Sequence, residues 1–563
     1  MSAATRARPS LPRARPAASV SGAAWPGAFR SPASTIGTSM SDASTGTAPP
    51  RRGPGNVPRS PSSPPSSRST VSSSASSEER SATSFLLRAT SPTGLLWVAI
   101  AAYAWGFGAL AELRYRSYQA GRFDLGNMTQ AVWATAHGHP LAVTNLQGEQ
   151  VSRLGSHVDP ILVLFAPLWW IWPSPSMLLT VQTAAIALGA LPVFWLARKH
   201  LRSERAALGF ALAYLLYPAV EWLTLNEFHP VALACPLLLF SFWYLDEDRL
   251  VPFAVFAVFA ASTKEEIPLV IAGMGIWYAI TRRRLLVGGA VAAIGVCVSL
   301  VSLQLVMPHF SDGASSQFYG RYNEVGGSFG GILRTALTHP GRILSTAFDW
   351  EGIHYLGHLL LPLALLFVAA PLVLVAAVPE LALNLLSSTP TQTSIHHHYT
   401  AGLIPPLVVA SVMGAARLGG GNQRRGIALA GCALAVALAT NYWLGAIPLW
   451  RSLPGGQSFQ AYASHVSTHD RIADRALGLI PDEAVVSATN TLGAHLSARR
   501  RFLSFPYLQD AEWITADETQ PGYADRWDPL ATARALAHVR RNPHWRLVFE
   551  EDGVLVFRRA ARE

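Results

Sequence analysis

Charge is scarce in this sequence. Only 14% of its 563 residues are Asp, Glu, Lys or Arg, where a soluble chain of this size carries about a quarter. That is too little to cover a water-facing surface, which excludes an ordinary soluble globular protein. Cysteine is rarer still. Cys235, Cys297 and Cys432 lie inside apolar runs with no pairing or ligand spacing, so neither a disulfide framework nor a thiolate metal site is readable. No repeat of fixed period is evident, and no apolar core of signal-peptide type precedes Leu95. The net charge of +10 is mostly local: residues 1–85 hold ten Arg against Asp42, Glu78 and Glu79, a balance of +7. A basic tail on an apolar chain is a poor nucleic-acid surface, and no nucleic-acid partner is expected.

What is present is hydrophobic: half of the residues, 17 Trp among them. The Leu/Ala/Val runs are too long for barrel strands, and a bilayer core admits only helices or closed barrels. The chain therefore reads as an α-helical polytopic membrane protein with about ten or eleven transmembrane helices and a small C-terminal extracytoplasmic α/β domain. Residues 1–88 are Ser/Pro/Arg-rich and bury too little apolar surface to offset chain entropy, so a disordered cytoplasmic tail is expected. A start codon assigned too early also fits part of it.

Residues 89–449 are expected to form the transmembrane domain, with a first span near Leu95–Leu113. The run Ile161–Trp172 is short for a crossing of about 20 residues and ends in clustered Trp, which favours the interface. It is expected to lie on the outer surface. Arg198, Lys199, Arg202, Arg205 and Arg282–Arg284 then fall inside, as the positive-inside bias requires, and loops 114–175 and 308–355 fall outside. Leu356–Val378 is expected to cross, and 379–388 to form a short return helix. Residues 450–563 read as the extracytoplasmic domain, with helices Asp470–Leu479 and Leu530–Arg541 and a buried strand at Ala484–Thr489. A terminal hairpin, Trp545–Glu550 with Val554–Arg558, turns on Asp552-Gly553.

This topology gathers polar groups on one face, and ionisable groups near hydrocarbon are costly enough to suggest a site. Asp124, between Phe123 and Leu125, suits a general base or a holder of an acceptor hydroxyl. Its apolar neighbours lead us to expect a raised pKa; the plainer reading is a helix N-cap or a partner of Arg122. His157 and Asp159 suit phosphate orientation or mutual pairing, with Asp159 equally an N-cap for the helix opening at Pro160. Glu227 and His229 stand at a span end. Lys264 suits a lipid-phosphate charge with Glu265 as its partner; a solvated hairpin tip is the alternative. Arg321 in the long loop suits a pyrophosphate. Three consecutive histidines, His396–His398, invite a metal, but adjacent residues do not share a face. No metal or other cofactor is assigned, and a divalent ion is left open.

With these residues in view, the chain resembles the bacterial membrane family called domain of unknown function 2079. The resemblance rests on Phe123-Asp124-Leu125-Gly126 with Gln130 and Trp133, on His157 to Pro160, and on Gln182 and Ala190–Pro192. It continues through Tyr217-Pro218, Phe228-His229-Pro230 and Lys264-Glu265. More distantly the layout looks like the GT-C glycosyltransferases, which place an acidic residue in the first outer loop and use polyprenyl-phosphate sugars. Here the usual acidic pair is a lone Asp124 followed by Leu125, and His157 is separated from Pro160. The resemblance implies a glycosyltransferase at the outer face of the cytoplasmic membrane. Asp124 would be catalytic; His157, Asp159, Glu227, His229, Lys264, Glu265 and Arg321 would bind a polyprenyl-phosphate-linked sugar, and the acceptor is unknown. The alternatives are a transporter or flippase of a lipid-linked or anionic solute, and a non-catalytic membrane scaffold.

Overall fold

A long apolar helix, α1 (Pro92–Arg116), opens the described chain. Ser91 caps it by accepting the Gly94 N–H, Pro92 fills the first turn, and Arg114 and Arg116 sit at its far end, as helix termini favour. The structure is a computed structural model that describes residues 90–311, 317–456, 465–526 and 528–560. The expected disordered tail, residues 1–88, lies outside the described residues.

Among the described residues four helical runs are long and apolar enough to cross a bilayer: Pro92–Arg116, Pro175–Leu201, Leu285–Phe310 and Gln423–Leu444. A fifth is bent by 47° between Glu204–Leu215 (α6) and Pro218–Leu225 (α7), because Pro218 cannot continue the hydrogen-bond ladder. Five shorter apolar helical segments accompany them: Pro160–Ile171, Pro230–Asp246, Leu250–Ala261, Ile267–Arg282 and Ile404–Gly419. The lipid-facing character shows in Leu285–Phe310, where Leu286 is 90% exposed. Pro160–Ile171 is half 3-10 helix (Pro160–Phe165) and half α3 (Ala166–Ile171). It lies against the helix Asn127–Ala136 (α2), with the Trp170 indole donating to the Ala136 carbonyl at 3.0 Å.

The segment after the long loop departs from expectation. Leu356–Val378 is not one helix. Trp350–Leu360 (α15) gives way to a series of 3-10 turns through Ala376, with Ala364 and Leu365 both at positive φ. Pro362 and Pro371 remove donors where a continuous helix would need them. The short helix expected after it is present as Val378–Leu385 (α16). Within the long loop, Phe329–Thr338 (α13) and Pro340–Ala347 (α14) leave Leu333, Leu337 and Leu344 exposed, the pattern of helices lying in a membrane interface.

The bundle has two polar ends. At one, Asp246 gathers Lys199, His200 and Arg282, while Arg284 pairs with Asp248. The candidate site occupies the other, where the C-terminal domain also docks. That domain is a five-stranded sheet in the order β4-β3-β5-β7-β6, comprising Val486–Ala488 (β3), Phe502–Ser504 (β4), Trp513–Asp517 (β5), Trp545–Glu551 (β6) and Val554–Arg559 (β7). Helices Thr468–Leu477 (α19) and Asn490–Leu496 (α20) pack on one face and Pro529–Arg541 (α21) on the other. The β6–β7 hairpin turns on Asp552 and Gly553, both at positive φ, as a tight two-residue turn demands. A small two-stranded ribbon, Ala142–Thr144 (β1) with Gln150–Ser152 (β2), lies between the Asp124 stretch and this domain.

Candidate functional site

Asp124 sits on a π-helical turn, Arg122–Gly126, that leads directly into α2. The early N–H groups of such a turn have no internal partner, and two distant side chains supply one. Glu227 Oε2 accepts from both Gly121 and Leu125 at 3.0 Å, and Asn490 Oδ1 accepts from Phe123 at 3.2 Å. Glu227 holds this position with φ +54, an unusual conformation for a residue with a side chain. Burial and the nearby Asp124 charge push its carboxyl up to about 8, against the pull of the two N–H groups. Arg122 turns away to the Thr144 carbonyl and the Phe502 ring, so it is not the partner of Asp124.

That partner is His229. Its Nε2 stands 3.2 Å from Asp124 Oδ1, with the carboxylate side chain 49% exposed. Burial alone would raise the Asp124 pKa, but His229, with His397 and Arg153 beyond it, holds it below the usual carboxylate value. The expected upward shift is therefore reversed, because a hydrogen-bonded imidazole outweighs the apolar neighbours. Nor is Asp124 a cap: its side chain faces out of the turn.

The remaining groups join this pair in one network. His157 Nδ1 donates to Glu265 Oε1 (2.9 Å), and Glu265 Oε2 takes the Val158 N–H at 3.0 Å. His157 and Lys264 together hold the Glu265 carboxyl down at about 2 despite its burial. Lys264 pairs with Glu266 at 2.5 Å rather than with Glu265. The Lys264 and Glu266 side chains are 14% and 13% exposed, so this is no solvated hairpin tip. Asp159 is bound by Arg153 at 2.7 Å, both nearly inaccessible. It neither caps the following helix nor pairs with His157, since Arg153 reaches it first.

Arg321 lies over Phe318, with its centroid 4.6 Å away, and reaches the Tyr399 hydroxyl at 3.3 Å. Phe318 stacks on His157, and Lys264 lies over Tyr399 at 5.3 Å. Of the three cations here, Arg153 and Lys264 have carboxylate partners and Arg321 has none among the described residues. All eight residues singled out from the sequence thus fall into one connected cluster. Sequence reasoning placed Glu266 on the outer face without giving it a role, and assigned none to Arg153, Asn226, Tyr399 or Asn490; Asn226 and Tyr399 adjoin residues already named, whereas Asn490 carries no local signal at all. Among the described residues no three His, Cys, Asp or Glu side chains converge in metal-binding fashion.

Beneath the site runs an apolar cavity of about 320 Å3 lined by Ile161, Phe165, Val181, Leu237, Phe256 and Phe259 with their neighbours. Its rim is tied to the site by the Ile161 N–H, which donates to the Ser262 carbonyl, two residues before Lys264.

No curated protein matches the chain. Among solved structures it is similar to ArnT from Cupriavidus metallidurans bound to undecaprenyl phosphate, at 13% identity over 80% of this chain and 97% of that one, with a TM-score of 0.44. The same protein in the apo state gives 14% identity, 81% and 98% coverage, and a TM-score of 0.41. Residues 114–556 match the family model described as "Predicted membrane protein (DUF2079)", and the chain, a membrane protein, belongs to that family.

Proposed function

We propose that the chain is an integral-membrane glycosyltransferase of GT-C type that moves a sugar from a polyprenyl-phosphate donor at the outer face of the cytoplasmic membrane. The observation that carries this reading is a chain of contacts from Asp124 through His229, His398 and Tyr399 to Arg321, beside an apolar groove that begins at Ile161. The donor chain would lie in the groove, whose rim residues Leu164 and Phe259 are exposed. Its phosphate would meet Arg321, the cation here without a carboxylate partner among the described residues, with Lys264 and His157 beside it. Asp124, ionised and aimed by His229, suits holding an acceptor hydroxyl. The orientation rests on the basic end around Lys199 and Arg282 facing the cytoplasm, which leaves the site and the C-terminal domain outside.

The test uses purified protein in lipid with synthetic polyprenyl-phosphate hexoses and pentoses and an envelope lipid extract as acceptor. Release of polyprenyl phosphate by the wild type, lost by at least about a hundredfold in Asp124→Asn with thermal unfolding unchanged, is expected for a positioned catalytic group. Donor binding without release, equal in both proteins, would instead favour a transporter or flippase of a lipid-linked solute.

A further inference from the structure

The His398 ring stands against the His229 ring, with centroids 3.8 Å apart and planes 22° from parallel. Asn226 orients both. Its main-chain carbonyl lies 2.8 Å from His229 Nδ1. Its side-chain Oδ1 accepts the His398 backbone N–H at 3.0 Å and faces His398 Nδ1 at 3.2 Å. A backbone N–H can only donate, so the Asn226 atom it meets is the oxygen. The His398 Nδ1 that meets the same oxygen must then carry a hydrogen. In neutral His398 the lone pair is therefore on Nε2, which has no hydrogen-bond partner among the described residues.

His229 is in a different position. Both of its nitrogens face acceptors, the Asn226 carbonyl and Asp124 Oδ1, so both ring edges are occupied. The two stacked rings both turn their Nδ1 edges to Asn226, so their Nε2 edges point the same way. His229 Nε2 ends on Asp124, and the His398 ring stacked on it carries an Nε2 with no hydrogen-bond partner among the described residues.

We propose that His398 Nε2 is the general base of the transfer, a role that rests on the transferase reading above. The reacting acceptor hydroxyl gives its proton to His398 Nε2 as its oxygen forms the bond to the sugar C1, while Asp124, an acceptor only, holds a neighbouring hydroxyl of the acceptor. The C1–O bond to phosphate breaks, and its electron pair leaves on the phosphate oxygen facing Arg321. Charge balances: one proton moves to the imidazole, and the leaving phosphate gains one negative charge.

The surroundings keep this nitrogen unprotonated. Burial, then the facing groups His229, Lys264, His397 and His157, hold the His398 imidazole well below its ordinary value. Tyr399 covers the ring at 4.2 Å.

Two variants test this in the polyprenyl-phosphate release assay. His398→Asn can keep an amide donor for Asn226 while removing the ring and its Nε2. His398→Ala leaves a space that added imidazole can fill. The expected result is a loss of about 10²–10⁴-fold in kcat for both, unchanged donor KM, and partial recovery of His398→Ala by imidazole that strengthens with the unprotonated imidazole fraction. A His398→Asn rate within about twofold of wild type overturns the base role and leaves the transferase intact. So does a loss that appears as raised KM without imidazole rescue. Absence of release by the wild type from every donor overturns the transferase reading and the base role together.

Discussion

Glu227 illustrates how much one side chain can organise. One of its oxygens closes two N–H groups of the turn that carries Asp124, from a backbone conformation that residues with side chains rarely adopt. Burial raises its pKa, so the charge contributes less to its role than the acceptor geometry does. Glu227→Gln, which keeps an acceptor oxygen, is expected to stay within about 1 kcal/mol of the wild-type stability. Glu227→Ala, which leaves buried N–H groups unpaired, is expected to cost about 1–3 kcal/mol and to weaken any Asp124-dependent activity. Chemical unfolding of the three proteins in one detergent checks this, and equal loss in both variants would show that the charge matters instead.

The decisive contact between elements is α20 against the Asp124 turn. Gly493 on α20 lets the two approach closely: a Cβ there would stand 2.7 Å from the Phe502 ring and 2.9 Å from Arg122 Cβ. On the other side Gly126 meets Ser497 and Ala494 in the same way. The small C-terminal domain therefore supports the back of the Asp124 turn, in addition to any contact with an acceptor. Gly493→Ala is expected to destabilise by about 1–3 kcal/mol through overpacking and, on the proposed function, to reduce turnover without touching the apolar groove. Donor affinity falling as much as turnover would count against this division of labour.

Across the whole molecule, the polar residues divide between a basic end and a site end. Positive-inside placement makes the orientation testable with an impermeant maleimide on intact cells, in a background with Cys235, Cys297 and Cys432 replaced by Ala. Tyr523→Cys, on the C-terminal domain, is expected to label, and Arg283→Cys only after the membrane is opened. The reverse pattern would turn the site toward the cytoplasm.

Membrane class, the long spans and the Asp-Gly hairpin were readable from the chain alone, because each depends on local chemistry. Apolar run length answers to bilayer thickness, and tight turns answer to backbone sterics. The break after Leu360 was also written locally, in Pro362 and Pro371, although composition masked it. The candidate residues Asp124, His157, Asp159, Glu227, His229, Lys264, Glu265 and Arg321 could be picked out because charge beside hydrocarbon is costly. Their pairings could not. Which carboxylate meets Lys264, which cation holds Asp159, and which way His398 turns its lone pair depend on side chains brought together by packing. Asn490 meets Phe123 across 367 residues, and no sequence spacing encodes such a contact; only the folded chain does.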